Sequence, residues 1–160
     1  MQSIPKRSGF CPLKNIMGLW LIQGCRRDWQ RAGQHLSWDD IVKQAEQSEP
    51  MRTVIDTDCG DFYAGGRMVE KIQAFARRTS QPVPETVGQV ARCIYESLAL
   101  KYRWALERLE EIKGQRIEQL NIVGGGIQNR MLDQLVAESR KAQEKAKAHS
   151  VDYSQNSCSG

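Results

Sequence analysis

The stretch Ile122-Val123-Gly124-Gly125-Gly126-Ile127-Gln128-Asn129-Arg130 joins two kinds of chain through three consecutive glycines. Before it, Ile117, Leu120, Ile122 and Val123 make a short apolar run of strand type. After it, from a start near Gln128, Met131, Leu132, Leu135 and Val136 recur at helical spacing. Strand, glycine turn and helix together form an α/β unit. Glycine lets the backbone take positive φ and lets a ligand come close, because no Cβ blocks the approach. The helix start adds free N–H groups and a partial positive charge. Such an arrangement suits a phosphate or a nucleotide, with Gln128 and Asn129 able to serve a base or ribose edge. A strand-to-helix turn that needs glycine only for tight packing explains the same residues equally well. The stretch is no Walker A loop, since no Gly-Lys-Ser/Thr follows. It also departs from the dinucleotide fingerprint, where Asn129 replaces the third glycine.

Upstream, the spacing predicts one long helix over about Thr86 to Lys113, closed by Gly114. Val87, Val90, Ile94, Leu98, Tyr102, Ala105, Leu109 and Ile112 step along it at threes and fours. This helix is expected to pack against the strand that enters the glycine turn. Earlier helices are predicted from Leu13 to about Arg31, ended by Gly33, and from a Ser37 cap with Asp40 three residues on, stopped by Pro50. Another is predicted over Met68 to Thr79, with Gln81-Pro82-Val83-Pro84 as an extended linker. Thr53-Val54-Ile55 reads as a short extended run and Asp56 to Gly66 as a turn-rich loop. Residues 1–12 read as irregular. Beyond Ser139 the chain becomes rich in Lys, Glu, Ala and Gln, a solvated helix face or frayed tail, and residues 149–160 read as a polar tail.

Composition narrows the function classes. The chain has 160 residues, 40% hydrophobic and 26% charged, enough for one domain with a core. A net charge of +4, scattered along the chain, does not make the basic stripe of a nucleic-acid binder. Five dispersed cysteines with two histidines and no C-x-x-C give no zinc framework and read as reduced, cytoplasmic thiols. Cys93 is expected to be a small buried residue. Lys6, Arg7 and Lys14, the apolar run Ile16 to Ile22, and Gly24-Cys25 imitate a lipoprotein signal. The run is short and is read instead as a buried helix, and no segment reads as a membrane span.

Two further clusters suggest chemistry. Asp56-Thr57-Asp58-Cys59-Gly60-Asp61 imitates a calcium loop, but Arg67 stands where the bidentate acid belongs, so a solvated acidic turn is expected. Glu96, Lys101 and Arg103 lie on the long helix, where charges ordinarily face solvent or pair locally. No catalytic residue is assigned.

Several ordered motifs carry a resemblance. They are Leu13-Lys14-Asn15-Ile16-Met17-Gly18-Leu19-Trp20, then Gln81-Pro82-Val83-Pro84-Glu85-Thr86, then Arg92 to Arg103, then Ile122 to Leu135. Together they resemble the rhamnulokinases, FGGY-type carbohydrate kinases of the actin-like ATPase (ribonuclease H-like) fold. The resemblance implies an α/β, mostly helical chain that forms part of the C-terminal domain. Residues 13–137 would be the kinase part, flanked by the irregular 1–12 and a divergent 138–160. It also implies transfer of the ATP γ-phosphate, with magnesium, to the 1-hydroxyl of L-rhamnulose. Gly124, Gly125, Gly126, Gln128 and Asn129 would hold the nucleotide, Gly125 foremost. The family's N-terminal domain and its catalytic aspartate have no counterpart here, and the Asn-Glu-Gly-Gly-like stretch is replaced by Ser3 to Pro12. The expected chain is thus a kinase fragment that keeps ATP or ADP contacts, takes L-rhamnulose only with the missing domain supplied, and binds neither nucleic acid nor membrane. The alternative is a non-enzymatic nucleotide-binding or interaction module. Strand edges left uncovered by the missing parts would favour pairing with another chain.

Overall fold

The computed structural model describes residues 18–117, 131–139 and 141. Four helices follow one another: α1 (Trp20–Arg31), α2 (Trp38–Glu46), α3 (Met68–Arg78) and α4 (Val87–Lys113), with a 3-10 turn at Gly60–Phe62. Residues 131–139 form a further helix, α5.

Helices α2 and α4 begin at capping boxes, whereas α1 and α3 start without a side-chain cap. Ser37 Oγ accepts from the Asp40 N–H at 3.1 Å, and the Asp40 carboxylate accepts from the Ser37 N–H at 3.1 Å, which makes a capping box for α2. Thr86 and Gln89 build the same box for α4. Gly33 and Gly114 follow α1 and α4 with φ of 85° and 60°, left-handed values that favour glycine.

Helix α4 is the axis of the core. From Gly88 to Ala99 nearly every face of it is buried, including Val90, Ala91, Ile94, Tyr95 and Leu98. Helix α2 lies along its first turns, where Gly88 permits the approach. A Cβ at Gly88 would collide with the Gln44 carbonyl oxygen and would meet Ser48 Oγ at 2.5 Å. Helix α1 presents Leu21, Ile22, Cys25 and Trp29 to the same core, and α3 presents Met68, Ile72 and Ala76. Gly24 brings α1 close to Met68, since a Cβ there would sit 3.1 Å from the Met68 Cβ.

The helices expected from apolar periodicity are present, with one shortened: α1 was expected from Leu13 but begins at Trp20, since Gly18 and Leu19 are not helical and residues 13–17 lie outside the described residues. The strand expected before the glycine turn, and its packing on α4, fall on residues 118–123 and lie outside the described residues. Thr53-Val54-Ile55, expected as a short extended run, belongs to no helix or strand, and no strand occurs among the described residues. Its N–H groups are taken by side chains instead of a ladder. Val54 N–H donates to Gln81 Oε1 at 2.8 Å and Ile55 N–H to Ser97 Oγ at 2.9 Å.

Candidate functional site

The residues expected to hold a nucleotide, Gly124, Gly125, Gly126, Gln128 and Asn129, lie outside the described residues. Both flanks of that loop are described. On the entering side, α4 closes at Gly114 and the Ile117 N–H donates to Glu110 Oε1 at 3.1 Å. On the leaving side, α5 is anchored in the core by Met131, Leu132 and Val136, with Leu135 packed against it. Asp133 on α5 and Tyr102 on α4 interact electrostatically. Burial, and then the Asp133 charge, push the Tyr102 phenol above its ordinary pKa. The Asp133 Oδ1 is buried without a hydrogen-bond partner.

Next to this region α4 carries a polar row that the periodicity did not announce. Glu96 is only 3% exposed. Its carboxylate takes the Arg92 Nε–H at 2.8 Å and the Met51 N–H at 2.8 Å. The Arg92 guanidinium also donates to the Ala45 and Glu46 carbonyls at 3.2 and 3.3 Å, where it ties the end of α2 to α4. Ser97 donates to the Cys93 carbonyl while it accepts from Ile55. One turn on, Lys101 Nζ bridges Asp56 Oδ1 at 3.0 Å and Asp58 Oδ2 at 2.8 Å. The Asp58 carboxylate first, and Asp56 with it, raise the lysine's proton affinity against the partial burial that lowers it.

The expected solvated acidic turn is consequently a fastened one. Asp61 completes it through Arg78 Nη1 at 2.8 Å, and that guanidinium holds the Asp61 carboxyl below the usual carboxylate range. With their charges already answered by Lys101 and Arg78, these acids are poor metal ligands. No cluster of His, Cys, Asp or Glu able to hold a metal occurs among the described residues. The magnesium implied by the resemblance therefore finds no fitting ligand set among the described residues.

The missed signal was local. Glu96 and Ser97 stand between Cys93-Ile94-Tyr95 and Leu98-Ala99, where α4 is buried on every side. A charge set in such a run has to be paired. Cys93 itself is buried as expected, and desolvation pushes its thiol up to about 12. No described helix is long and apolar enough to cross a membrane.

Comparison with known proteins agrees with this architecture. The profile of the FGGY family of carbohydrate kinases, C-terminal domain, matches residues 8–141. A rhamnulokinase of Bacteroides thetaiotaomicron is 42% identical over 125 residues, which cover 78% of this chain and 25% of that protein. A rhamnulokinase of Enterococcus faecalis is 41% identical over 128 residues, 79% of this chain and 25% of its own. One from Bacillus subtilis is 37% identical over 126 residues, with the same coverage. The chain thus spans about a quarter of the length of these relatives.

Proposed function

Because the chain belongs to the FGGY family of carbohydrate kinases and matches its C-terminal domain, we propose that it is the nucleotide-holding part of a rhamnulose kinase. In this reading the Gly124-Gly125-Gly126 loop cradles ATP or ADP, with Gln128 and Asn129 at the nucleoside. The observation that carries it is the anchoring of α5 in the core immediately after the loop, through Met131, Leu132 and Val136. A loop that must approach a nucleotide closely works only if its ends are held, and one end here is held by buried apolar side chains.

The reaction itself, transfer of the γ-phosphoryl group to the 1-hydroxyl of L-rhamnulose, requires in-line alignment of donor, acceptor and a base. No described residue is proposed as that base. The chain would contribute nucleotide binding, and the sugar site and base would come from the three quarters of the relatives that it does not span. This coverage also favours a second reading, a nucleotide-binding module without turnover of its own.

Calorimetric titration with ADP tests the loop. Saturable binding is expected, weakened about tenfold or more by Gly125→Val, whose side chain would fill the approach to the loop. Absence of binding, or equal binding by the variant, overturns the nucleotide reading. Phosphorylation of L-rhamnulose is then assayed with a second chain that supplies the remaining part of the kinase. Turnover only with both chains separates the kinase part from the module.

A further inference from the structure

We propose that the outer face of α1 is a docking surface for a protein segment that bears carboxylates. The exposed residues of this helix are Trp20, Gln23, Arg27, Gln30 and Arg31, at helical spacing, so they make one continuous stripe without an acid. Asp28, the acid of the helix, is turned aside. Its Oδ2 accepts from the Val69 N–H at 3.2 Å at the start of α3, and its Oδ1 lies 3.6 Å from Arg31. The stripe is continued by the first residue of α2, Trp38, through Arg26.

The cations of this face are held in place. Arg27 stacks over the Trp20 ring at 5.4 Å and Arg26 over Trp38 at 4.6 Å, while Arg26 Nε also donates to the Leu36 carbonyl at 3.1 Å. Trp20 and Trp38 are 36% and 40% exposed, large for rings that have no need to face water. A guanidinium already stacked loses less freedom when it pairs, and its planar edge still fits a carboxylate with two parallel bonds. Tryptophan and arginine are also the residues that most often dominate protein–protein binding energy.

Charge complementarity selects an acidic occupant, and the number of cations selects its class. Arg26 and Arg27, with Arg31 shared with Asp28, would neutralise about two or three phosphates, against roughly six to ten for a protein that binds a nucleic-acid duplex firmly. The glutamine amides between them pair as readily with a peptide backbone. An acidic protein segment with an apolar side chain for the tryptophans satisfies every group on the stripe.

The full chain is titrated with an acidic amphipathic peptide that lacks tryptophan, and the chain's own tryptophan fluorescence is followed. The same peptide with glutamine for glutamate, and a single-stranded DNA oligonucleotide, are run beside it. The acidic peptide is expected to saturate the signal, with affinity about tenfold lower for the glutamine peptide and for the double variant Arg27→Glu with Arg31→Glu. Far-UV thermal melts establish that the variant is folded, and Arg27→Gln with Arg31→Gln replaces it if the charge reversal unfolds the chain. Equal affinity for the two peptides, an unaltered response in the folded variant, or no saturation overturns the proposal. Tighter binding of the oligonucleotide than of the acidic peptide overturns it in favour of nucleic acid. Because this surface is remote in sequence from the glycine loop, loss of ADP binding and loss of peptide binding are independent results.

Discussion

Glu96 is a charged side chain placed where α4 has no solvent to offer it. Its carboxylate is met by Arg92 one turn before it and by the backbone N–H of Met51 in front of it. Removing one member of a buried pair leaves the other uncompensated, which costs about 3 kcal/mol. Glu96→Ala should lower the unfolding free energy by that amount in urea denaturation, and Glu96→Gln by less, because the amide oxygen can still accept from Met51. On the sequence alone Glu96 is a helix charge that faces solvent or pairs locally; the local pair with Arg92 is present, but the burial is not foreseen. Its burial depends on Met51, 45 residues away, and periodicity along one helix carries no information about what another segment brings to it. The triple glycine lies outside the described residues, and its residues alone suit a nucleotide cradle and a tight packing turn equally.

At the scale of elements the helices were legible in the sequence. Their starts are written in Ser37 with Asp40 and in Thr86 with Gln89, and their stops in Gly33 and Gly114, all within one turn of the boundary. Contacts between helices were not. Gly88 reads as an unfavourable residue in the first turn of a helix, yet it is the point at which α2 lies against α4. Gly88→Ala should improve helix propensity and still destabilise the chain, by about 1–3 kcal/mol, because the new methyl group runs into the Gln44 carbonyl. Thermal melts of the variant against the parent check the sign. A higher melting temperature would mean that α2 moves aside at little cost. The run Thr53-Val54-Ile55 pairs with no strand among the described residues, and side chains of Gln81 and Ser97 take the N–H groups of Val54 and Ile55.

The whole molecule responds to pH mainly through groups that its core keeps neutral. Burial raises the Cys25 thiol, and it raises Cys93 to about 12, while Tyr102 is raised by burial and by Asp133. A raised acid pKa favours the protonated form in the folded chain. Stability from these thiols is therefore complete below their unfolded pKa, about 8.5, and declines as pH rises from there toward the folded values. Urea denaturation at pH 8 and pH 10 should show the loss, up to about 1.4 kcal/mol per pH unit for each thiol. Replacing Cys93 with Ala should flatten that slope. An unchanged midpoint between the two pH values would mean that the thiols are less buried than the structure has them. The sequence predicts a buried Cys93, but the core that Cys93 on α4 shares with Cys25 on α1 is a property of the assembled chain.

The row Glu96, Ser97 and Lys101 gives the segment from Met51 to Asp58 a border of side chains where a sheet would supply a border of backbone. Every one of these fasteners stands on α4. Gln81 and Pro82 hold the same segment from the other side, at Val54 and Thr53. Local opening of this segment therefore has to break contacts both with α4 and with the linker that follows α3.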